Sequence, residues 1–217
     1  FKKKIMCGIA GVISFKRNLL NITDQMKEDL FHRGPDNQSS YIHNNLGLVH
    51  TRLSIIDLTD EANQPMEHFS GEHVIVFNGE VFNYKELREK LKSRGVPFST
   101  NSDTEVLLNG FVEFGNEFLK EVRGFFAFCI YSKKQQKLIL ARDFYGKKPL
   151  YFYRKNGEFL FGSEIKAIRN NVSESSYVNY KSISHYLWKG YYSNGETAYE
   201  NIESMLPGQT LEVSLDC

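Results

Sequence analysis

The chain has 217 residues, enough for one large domain or two small ones, with 41 % hydrophobic and 24 % charged residues. This composition is ordinary for a soluble globular protein. The formal net charge of +1 argues against nucleic acid or an anionic membrane surface as the main partner. No apolar stretch approaches the ~20 residues that cross a bilayer, so a membrane-spanning protein is not predicted.

The cysteines predict reduced thiols rather than a disulfide framework. Cys7, Cys129 and Cys217 are too few and too scattered for such a framework, and reduced cysteines are typical of a cytoplasmic protein. Cys129 lies in the apolar run "FFAFCIYS", where a small core residue is the simplest interpretation.

Cys7 lies in the apolar run "IMCGIAGVISF" and leaves several interpretations open. It could carry a lipid, belong to a signal peptide, fill a buried strand, or act as a nucleophile that becomes the first residue of the chain. No small-x-small cleavage site ends the run, and Lys4-Ile5-Met6 are not the small residues that precede a lipidated cysteine. Export and lipidation are therefore disfavoured.

The first half of the chain alternates apolar runs with turn signals. A buried strand is predicted at "CGIAGVISF" and a short helix at "TDQMKEDLF". The turn-rich loop "HRGPDNQSS" follows, and then the extended segment "LGLVHTRLSIID". The next segment, "HVIVFNGEVFNY", reads as a strand that runs into a tight Asn-Gly turn.

Two helices are predicted in the middle of the chain. The first begins after Asn83 as a candidate cap, with Glu86 three residues on, and ends before Gly95 and Pro97. The second, "SDTEVLLNGFVEFG", opens on a capping-box pattern of a serine and a glutamate and closes at a glycine.

The second half of the chain is rich in predicted strands. They are "FFAFCIYS", "KLILARD", "PLYFYR" and "EFLFGSE", with a hairpin signal at Asn156-Gly157. A short helix is predicted at "SEIKAIRNN", a looser tail from Ser173, and one more strand in "LPGQTLEVS". Hairpins outnumber βαβ units, so the expected fold is α+β, one domain of antiparallel sheets with helices packed outside them.

Four polar clusters interrupt the hydrophobic pattern. They are Cys7-Gly8, Arg52, Asn78-Gly79-Glu80 and Ser102-Asp103. Taken singly, each has an ordinary structural explanation: a packed cysteine, a surface arginine, a turn and a helix start. The histidines are scattered without metal-ligand spacing, so no metal site is predicted.

Taken together, the clusters suggest nucleophilic chemistry on an amino acid. A thiol needs a base, and an N-terminal cysteine supplies its own, because the free α-amino group has a pKa of ~8. A glycine N–H and an asparagine side chain are natural donors to an oxyanion. One arginine and one or two carboxylates can hold the α-carboxylate and α-ammonium groups of a free amino acid.

The chain closely resembles the glutamine-hydrolysing domain of class II amidotransferases, which are N-terminal nucleophile hydrolases, and within them the asparagine synthetase branch. The resemblance covers nearly the whole chain and implies a layered α/β/β/α sandwich of mainly antiparallel sheets, without a cofactor. The segments that carry it are, in order, "MCGIAGV", "HRGPD", "HTRLSIID", "FNGEVFNY", "NSDTE", "RDFYGKKPLYF" and "GSEIKAI".

The resemblance implies catalytic roles for three residues. Cys7 would attack the side-chain amide of L-glutamine and form a thioester, with ammonia released and water then freeing glutamate. The Asn78 side chain and the Gly79 N–H would form the oxyanion hole.

The resemblance also implies a binding site for the amino-acid end of glutamine. Arg52 would hold the α-carboxylate, and Asp103 and Glu80 would receive the α-ammonium. The main chain around Ile55 would line the pocket, and Arg33 would support a loop near the thiol.

Two departures from the family pattern affect the prediction. Cys7 is not the first residue, so residues 1–6 are interpreted as a tag, leader or propeptide and residues 7–217 as the glutaminase domain. The C-terminal synthetase domain, for which ATP and Mg are expected, is absent from the sequence given. The expected partners are L-glutamine and that domain, not nucleic acid or a membrane, and a homodimer is left open. The alternative is a catalytically silent domain of the same fold that binds glutamine or serves assembly.

Overall fold

Two antiparallel β-sheets lie face to face in the computed structural model, which describes residues 6–54, 56–174 and 177–216. One sheet has the order β10-β8-β9-β1-β3-β2 and the other β11-β7-β6-β5-β4. In chain order the strands are β1 (Gly8–Ile13), β2 (Asn37–His43), β3 (Leu46–Arg52), β4 (Met66–Glu67), β5 (His73–Val81), β6 (Gly124–Ser132), β7 (Lys137–Arg142), β8 (Tyr151–Lys155), β9 (Glu158–Gly162), β10 (Ile202–Ser204) and β11 (Thr210–Ser214).

Helices cover the outer faces of both sheets and complete an α/β/β/α sandwich. The first and fourth helices share a buried apolar cluster with the sheet that contains β1, and the second and third share one with the sheet that contains β5. The helices are α1 (Leu19–Leu30), α2 (Tyr84–Lys92), α3 (Asp103–Phe114), α4 (Ile165–Arg169) and α5 (Tyr180–Lys189). The predicted α+β layered class is confirmed.

The alternation of side chains along β5 shows how the layers are built. Val74 and Val76 point into the core between the two sheets, whereas Ile75 and Phe77 belong to the core beneath the helices. Both faces of this strand are therefore buried against other elements. Cys129, on the neighbouring β6, is fully buried in the core between the sheets, as its apolar surroundings predict.

The prediction of a tight turn at Asn78-Gly79 is wrong. Both residues lie inside β5, where Asn78 pairs with Ala127 and Gly79 with Phe126. A Cβ atom at Gly79 would lie 2.4 Å from the carbonyl oxygen of Phe125, so glycine is required here for the close approach of two strands. The Asn-Gly dipeptide thus serves strand packing rather than chain reversal.

Other predicted elements differ from the structure at their ends. The first helix begins at Leu19, earlier than predicted, because the Asn18 side chain accepts a hydrogen bond from the Leu20 N–H (3.0 Å). Asn83 occupies the N-cap position of α2 but makes no capping bond, and its Oδ1 instead accepts from the Arg123 N–H at 2.9 Å. Four elements were not predicted. They are β2, which begins in the segment interpreted as a loop, the short strand β4, and α5 and β10, which lie in the segment interpreted as a looser tail.

Local signals in other places predicted the structure correctly. The Ser102 hydroxyl accepts from the Glu105 N–H (3.2 Å) at the start of α3, and Gly115 ends that helix with a φ of 62°. The hairpin between β8 and β9 turns at Asn156-Gly157, both with positive φ. In the described part of the chain, no helix is long and apolar enough to cross a membrane.

One buried carboxylate fixes the loop that follows β7. Asp143 is fully buried, and its Oδ1 accepts from the N–H groups of Tyr145 (3.1 Å) and Lys147 (3.0 Å). Its Oδ2 accepts from the N–H groups of Phe126 (3.3 Å) and Lys148 (3.0 Å). The carboxylate therefore accepts from three backbone N–H groups of the loop and from one of β6, and so ties the loop to that strand.

Replacing Asp143 with alanine is expected to destabilise the protein strongly. Because four backbone N–H groups would lose their acceptor, the free energy of unfolding should fall by ~3 kcal/mol or more. Asp24→Ala is the matched control: Asp24 is exposed and pairs only with Lys27 at 2.9 Å, so its loss should cost under ~0.5 kcal/mol. Urea unfolding of both variants measures the difference, and equal losses would contradict this account of the loop.

Candidate active site

A cavity of about 480 Å³ opens where β1, β3 and β5 meet the beginning of α3. Its volume lies in the range typical of small-molecule sites. The structure brings six of the predicted residues together in its wall: Cys7, Arg52, Asn78, Gly79, Glu80 and Asp103. The seventh predicted residue, Ile55, lies outside the described residues.

The Cys7 thiol, just before β1, is held by the backbone of Leu53, the residue that follows β3. The Leu53 N–H donates to its Sγ (3.4 Å), and the Sγ–H points to the Leu53 carbonyl at 3.6 Å. Burial raises the pKa of this thiol, and the Leu53 backbone and the positive charges of Arg52 and Lys148 oppose that rise. The thiol is therefore oriented by the main chain and has cations nearby that favour its ionised form.

Strand alternation points one side of β5 toward the cavity. The Phe77 N–H donates to the Gln64 side chain (2.6 Å) and the Val81 N–H donates to the Asp103 carboxylate (2.9 Å), so both turn away from β6. Gly79 lies between them with the same orientation, and its N–H therefore faces the cavity. The structure thus supplies one backbone donor to this site.

Asn78 contributes a second candidate donor. Its side chain is 1 % exposed, and its Nδ2 has no hydrogen-bond partner among the described residues. A buried amide donor without a partner lowers the stability of the fold, which indicates that it serves to donate to a ligand atom. Asn78 lies beside Gly79 in sequence, so the two donors are adjacent.

Arg52, the last residue of β3, has its guanidinium group fixed by hydrogen bonds to the loop that follows this strand. Its Nη1 donates to the Thr59 carbonyl (2.9 Å) and to Asn63 Oδ1 (2.6 Å), and its Nη2 donates to the Asp57 carbonyl. A guanidinium has five N–H donors. The remaining two, on Nε and Nη2, have no acceptor among the described residues and are left for a ligand such as a carboxylate.

Asp103, the first residue of α3, places a carboxylate in the wall of the same cavity. It is 5 % exposed, and burial raises its pKa to about 6, against the opposing effect of the Val81 N–H. Its usual pKa is near 3.8, so ionisation of the buried Asp103 lowers the stability of the fold as pH rises from about 4 to about 6. No carboxylate–cation pair closer than 4.0 Å involves Asp103, Glu80 or Arg52 within the described ranges.

Three residues that support the site were not predicted to do so from the sequence. Gln64 accepts from Phe77 N–H and donates to Thr104 Oγ1 (3.1 Å), which links β5 to α3. His50 is fully buried, and burial lowers its pKa to about 3, so it is neutral and donates to the Phe77 carbonyl at 3.2 Å. No local pattern distinguishes these two from ordinary core residues. The third residue, Lys148, lines the cavity and lies within the motif "RDFYGKKPLYF".

Arg33 contacts the main chain of the nucleophile candidate. Its Nε donates to the Cys7 carbonyl (3.0 Å), and its Nη1 donates to Glu164 at 2.9 Å. This position agrees with the predicted support of a loop near the thiol. As to metals, no group of three or more His, Cys, Asp or Glu side chains with suitable spacing occurs in the part of the chain that the structure describes.

Sequence comparison relates this chain to glutamine-dependent enzymes. Residues 6–216 match the family described as a glutamine amidotransferase domain. The chain is 33 % identical to a putative glutamine-hydrolysing asparagine synthetase of Methanocaldococcus jannaschii, with 97 % of this chain and 44 % of that protein covered. It is 34 % identical to asparagine synthetase 3 of Bacillus subtilis, with 97 % and 35 % covered. The chain thus spans less than half the length of these relatives.

Structure comparison supports the same fold. The chain resembles the glutamine phosphoribosylpyrophosphate amidotransferase of B. subtilis with a TM-score of 0.63, over 75 % of this chain and 43 % of that one. Their sequence identity is 22 %, so this similarity is evidence for the fold alone. Together with the family match over residues 6–216, it assigns the chain to a known group. The chain belongs to the class II glutamine amidotransferase domain family of the glutamine-hydrolysing asparagine synthetases.

Proposed function

We propose that this domain hydrolyses L-glutamine to glutamate and ammonia through a thioester on Cys7. The observation that carries the proposal is the composition of the single cavity wall that holds the thiol. It combines that thiol, an amide without a partner, a backbone N–H, one arginine and two carboxylates. These are the groups that an attack on a carbonyl of a free amino acid requires.

The charges in the cavity suit the amino-acid end of glutamine. Arg52 offers two free N–H donors to the α-carboxylate, and Asp103 and Glu80 offer negative charge to the α-ammonium. Because burial disfavours the ionised form of Asp103, pairing with an ammonium group would offset that effect. This pairing fixes the substrate at the end remote from the reacting amide.

The reaction at the other end follows from the geometry of Cys7 and β5. The Cys7 sulfur attacks the side-chain amide carbon, its proton passes to a base, and the amide oxygen becomes an oxyanion that accepts from Asn78 Nδ2 and the Gly79 N–H. The C–N bond then breaks as the nitrogen takes the proton, and ammonia leaves. Water attacks the thioester in the same way and releases glutamate, which restores the thiol.

The base in this scheme is the α-amino group of Cys7. In the sequence given, that nitrogen is an amide bonded to Met6, and an amide cannot accept the proton. We therefore propose that the bond between Met6 and Cys7 is cleaved in the active form. Residues 1–6 would then be a tag, leader or propeptide, and residues 7–217 the glutaminase domain.

The ammonia would be used by a synthetase-type domain that makes asparagine. Support comes from the relatives, which carry asparagine synthetase names and are more than twice the length that this chain covers. ATP and Mg would belong to that domain. A cytoplasmic location, predicted from the use of cysteine, fits this role.

Replacing Cys7 with alanine is expected to abolish ammonia release while the fold is retained. The change removes only the sulfur atom that forms the thioester. Coupled measurement of ammonia and glutamate, with circular dichroism for the fold, tests this. Cys129→Ala is the matched control, because Cys129 is buried away from the cavity and its loss should leave activity in place. Ammonia release by Cys7→Ala would refute the thioester.

Replacing Asn78 with alanine is expected to lower kcat by ~10²-fold or more with little change in KM. The amide would donate mainly to the oxyanion, which exists only on the way to and from the thioester. Steady-state kinetics of ammonia release measure the split between kcat and KM. A kcat close to that of the unchanged protein would remove Asn78 from the oxyanion hole.

Glutamine binding is expected to weaken as pH falls through about 6. Asp103 has a raised pKa of about 6, so below that pH it becomes neutral and its attraction for the α-ammonium is lost. The dissociation constant should then rise by up to ~10-fold per pH unit, because each binding event must release a proton. Calorimetry in the Cys7→Ala background measures binding without turnover.

Asp103→Asn provides the matched test of this pH dependence. The variant should bind glutamine weakly at every pH and lose the dependence near pH 6. Asp24→Asn, an exposed position on α1, should behave like the unchanged protein. If Asp103→Asn retained the same pH dependence, another group would be responsible for it.

A further inference from the structure

Lys148 is a cation of the cavity wall that the proposed function leaves without a role. Its main chain is fixed at both ends, since its N–H donates to Asp143 Oδ2 (3.0 Å) and its carbonyl accepts from Arg142 Nε (2.8 Å). Asp143 and Arg142 are themselves held by several further bonds to this loop and to β10. The side chain of Lys148 therefore starts from a rigid point and reaches the cavity beside Cys7.

The Lys148 ammonium has an unusual partner. Its Nζ lies 3.2 Å from the thioether sulfur of Met6, the residue bonded to the nitrogen of Cys7. Among the described residues, no carboxylate lies within 4.0 Å of this nitrogen, although other lysines form such pairs. Burial lowers the pKa of Lys148, an effect opposed by the charges of Glu80 and Cys7. A partly buried ammonium whose contact is a weak thioether acceptor is poorly compensated.

We propose that Lys148 is a positioning residue whose ammonium group stabilises the negative charge that Cys7 sulfur acquires when it gives up its proton. The Lys148 ammonium has no carboxylate partner among the described residues, and it would give the thiolate a second countercharge beside that of Arg52. Removal of Met6 would free the ammonium from its present contact. The inference adds to the proposed function. It depends on that function only in assuming that the thiolate attacks glutamine.

The surroundings single out Lys148 among the charges near the thiol. Arg52 also favours the thiolate, but its guanidinium is anchored to the loop carbonyls and faces the proposed carboxylate site. Arg33 already has a carboxylate partner in Glu164 and donates to the Cys7 carbonyl, although its Nη2 is buried without a hydrogen-bond partner among the described residues. The charged groups that face Lys148 are Cys7, Arg33, Glu80 and Asp143, and Lys147 and Asp103 lie in the same cavity wall.

A cation at this position would favour both the ionised thiol and the neutral α-amino group of an N-terminal cysteine. It attracts the thiolate, which lowers the pKa of the thiol, and it repels an ammonium, which keeps the α-amino group neutral and able to accept a proton. The two groups titrate as a coupled pair, so the pH dependence of thiol reactivity reports on both.

The test is the pH dependence of Cys7 alkylation by iodoacetamide, measured without glutamine in the chain that begins at Cys7, with the chain that keeps Met6 as a comparison. The Cys7 peptide is quantified by mass spectrometry, so that Cys129 and Cys217 do not contribute. In Lys148→Met, the alkylation midpoint should move upward by ~1 pH unit. Below both midpoints the rate should fall ~10-fold relative to the unchanged protein. Lys148→Arg should restore most of the loss, because it returns the positive charge.

Lys147→Met is the matched control, since it removes the same charge from an adjacent, exposed side chain and should give a much smaller shift. Lys148→Gln serves as a second variant if Lys148→Met does not fold. An unchanged midpoint in the neutral variants, or an equal rise in Lys148→Arg, would overturn the proposal. Because alkylation needs no glutamine, a shifted midpoint in a protein that releases no ammonia would support this inference and count against the proposed function instead.

Discussion

The pairing of β5 with β6 is the constraint on which the site depends. Because the hydrogen bonds of a strand alternate in direction, the N–H groups of Phe77, Gly79 and Val81 all turn away from β6. The outer two are occupied by Gln64 and Asp103, and the middle one is left to the cavity. The same alternation sends Phe77 and Val81 into the core beneath the helices, so the site is built directly on the packing of the fold.

Uncompensated charge is the second feature that organises the cavity. Arg52, Glu80, Asp103 and Lys148 line one small volume, yet no ion pair within 4.0 Å joins any of them across the described ranges. For the buried Arg52 and Asp103, folding alone would favour neutralisation, because burial of an unpaired charge is costly. The arrangement is explained if a zwitterionic ligand and a thiolate provide the missing partners.

Local signals in the sequence predicted those parts of the fold that depend on local physics. The cap at Ser102, the end of α3 at Gly115 and the Asn156-Gly157 hairpin follow from neighbouring residues alone. Asn78-Gly79 could not be assigned in this way, because its role depends on a distant strand whose Phe125 carbonyl excludes any side chain. The helix α5 was missed in the sequence; in the structure its aromatic residues are largely exposed, and Ser182 is the residue of this helix that is buried. Likewise, the roles of Gln64 and Lys148 could not be predicted from the sequence, because only the tertiary structure places them in the cavity wall.

The central claim, that Cys7 is the nucleophile of a glutamine site, is tested most directly by intact mass after incubation with a diazoketone analogue of glutamine. We expect a chain that begins at Cys7 to gain the mass of one adduct, located on the Cys7 peptide. The Cys7→Ala variant should gain none, and excess glutamine should slow the labelling. An unlabelled chain with a free Cys7 amine, or an adduct on another residue, would contradict the account.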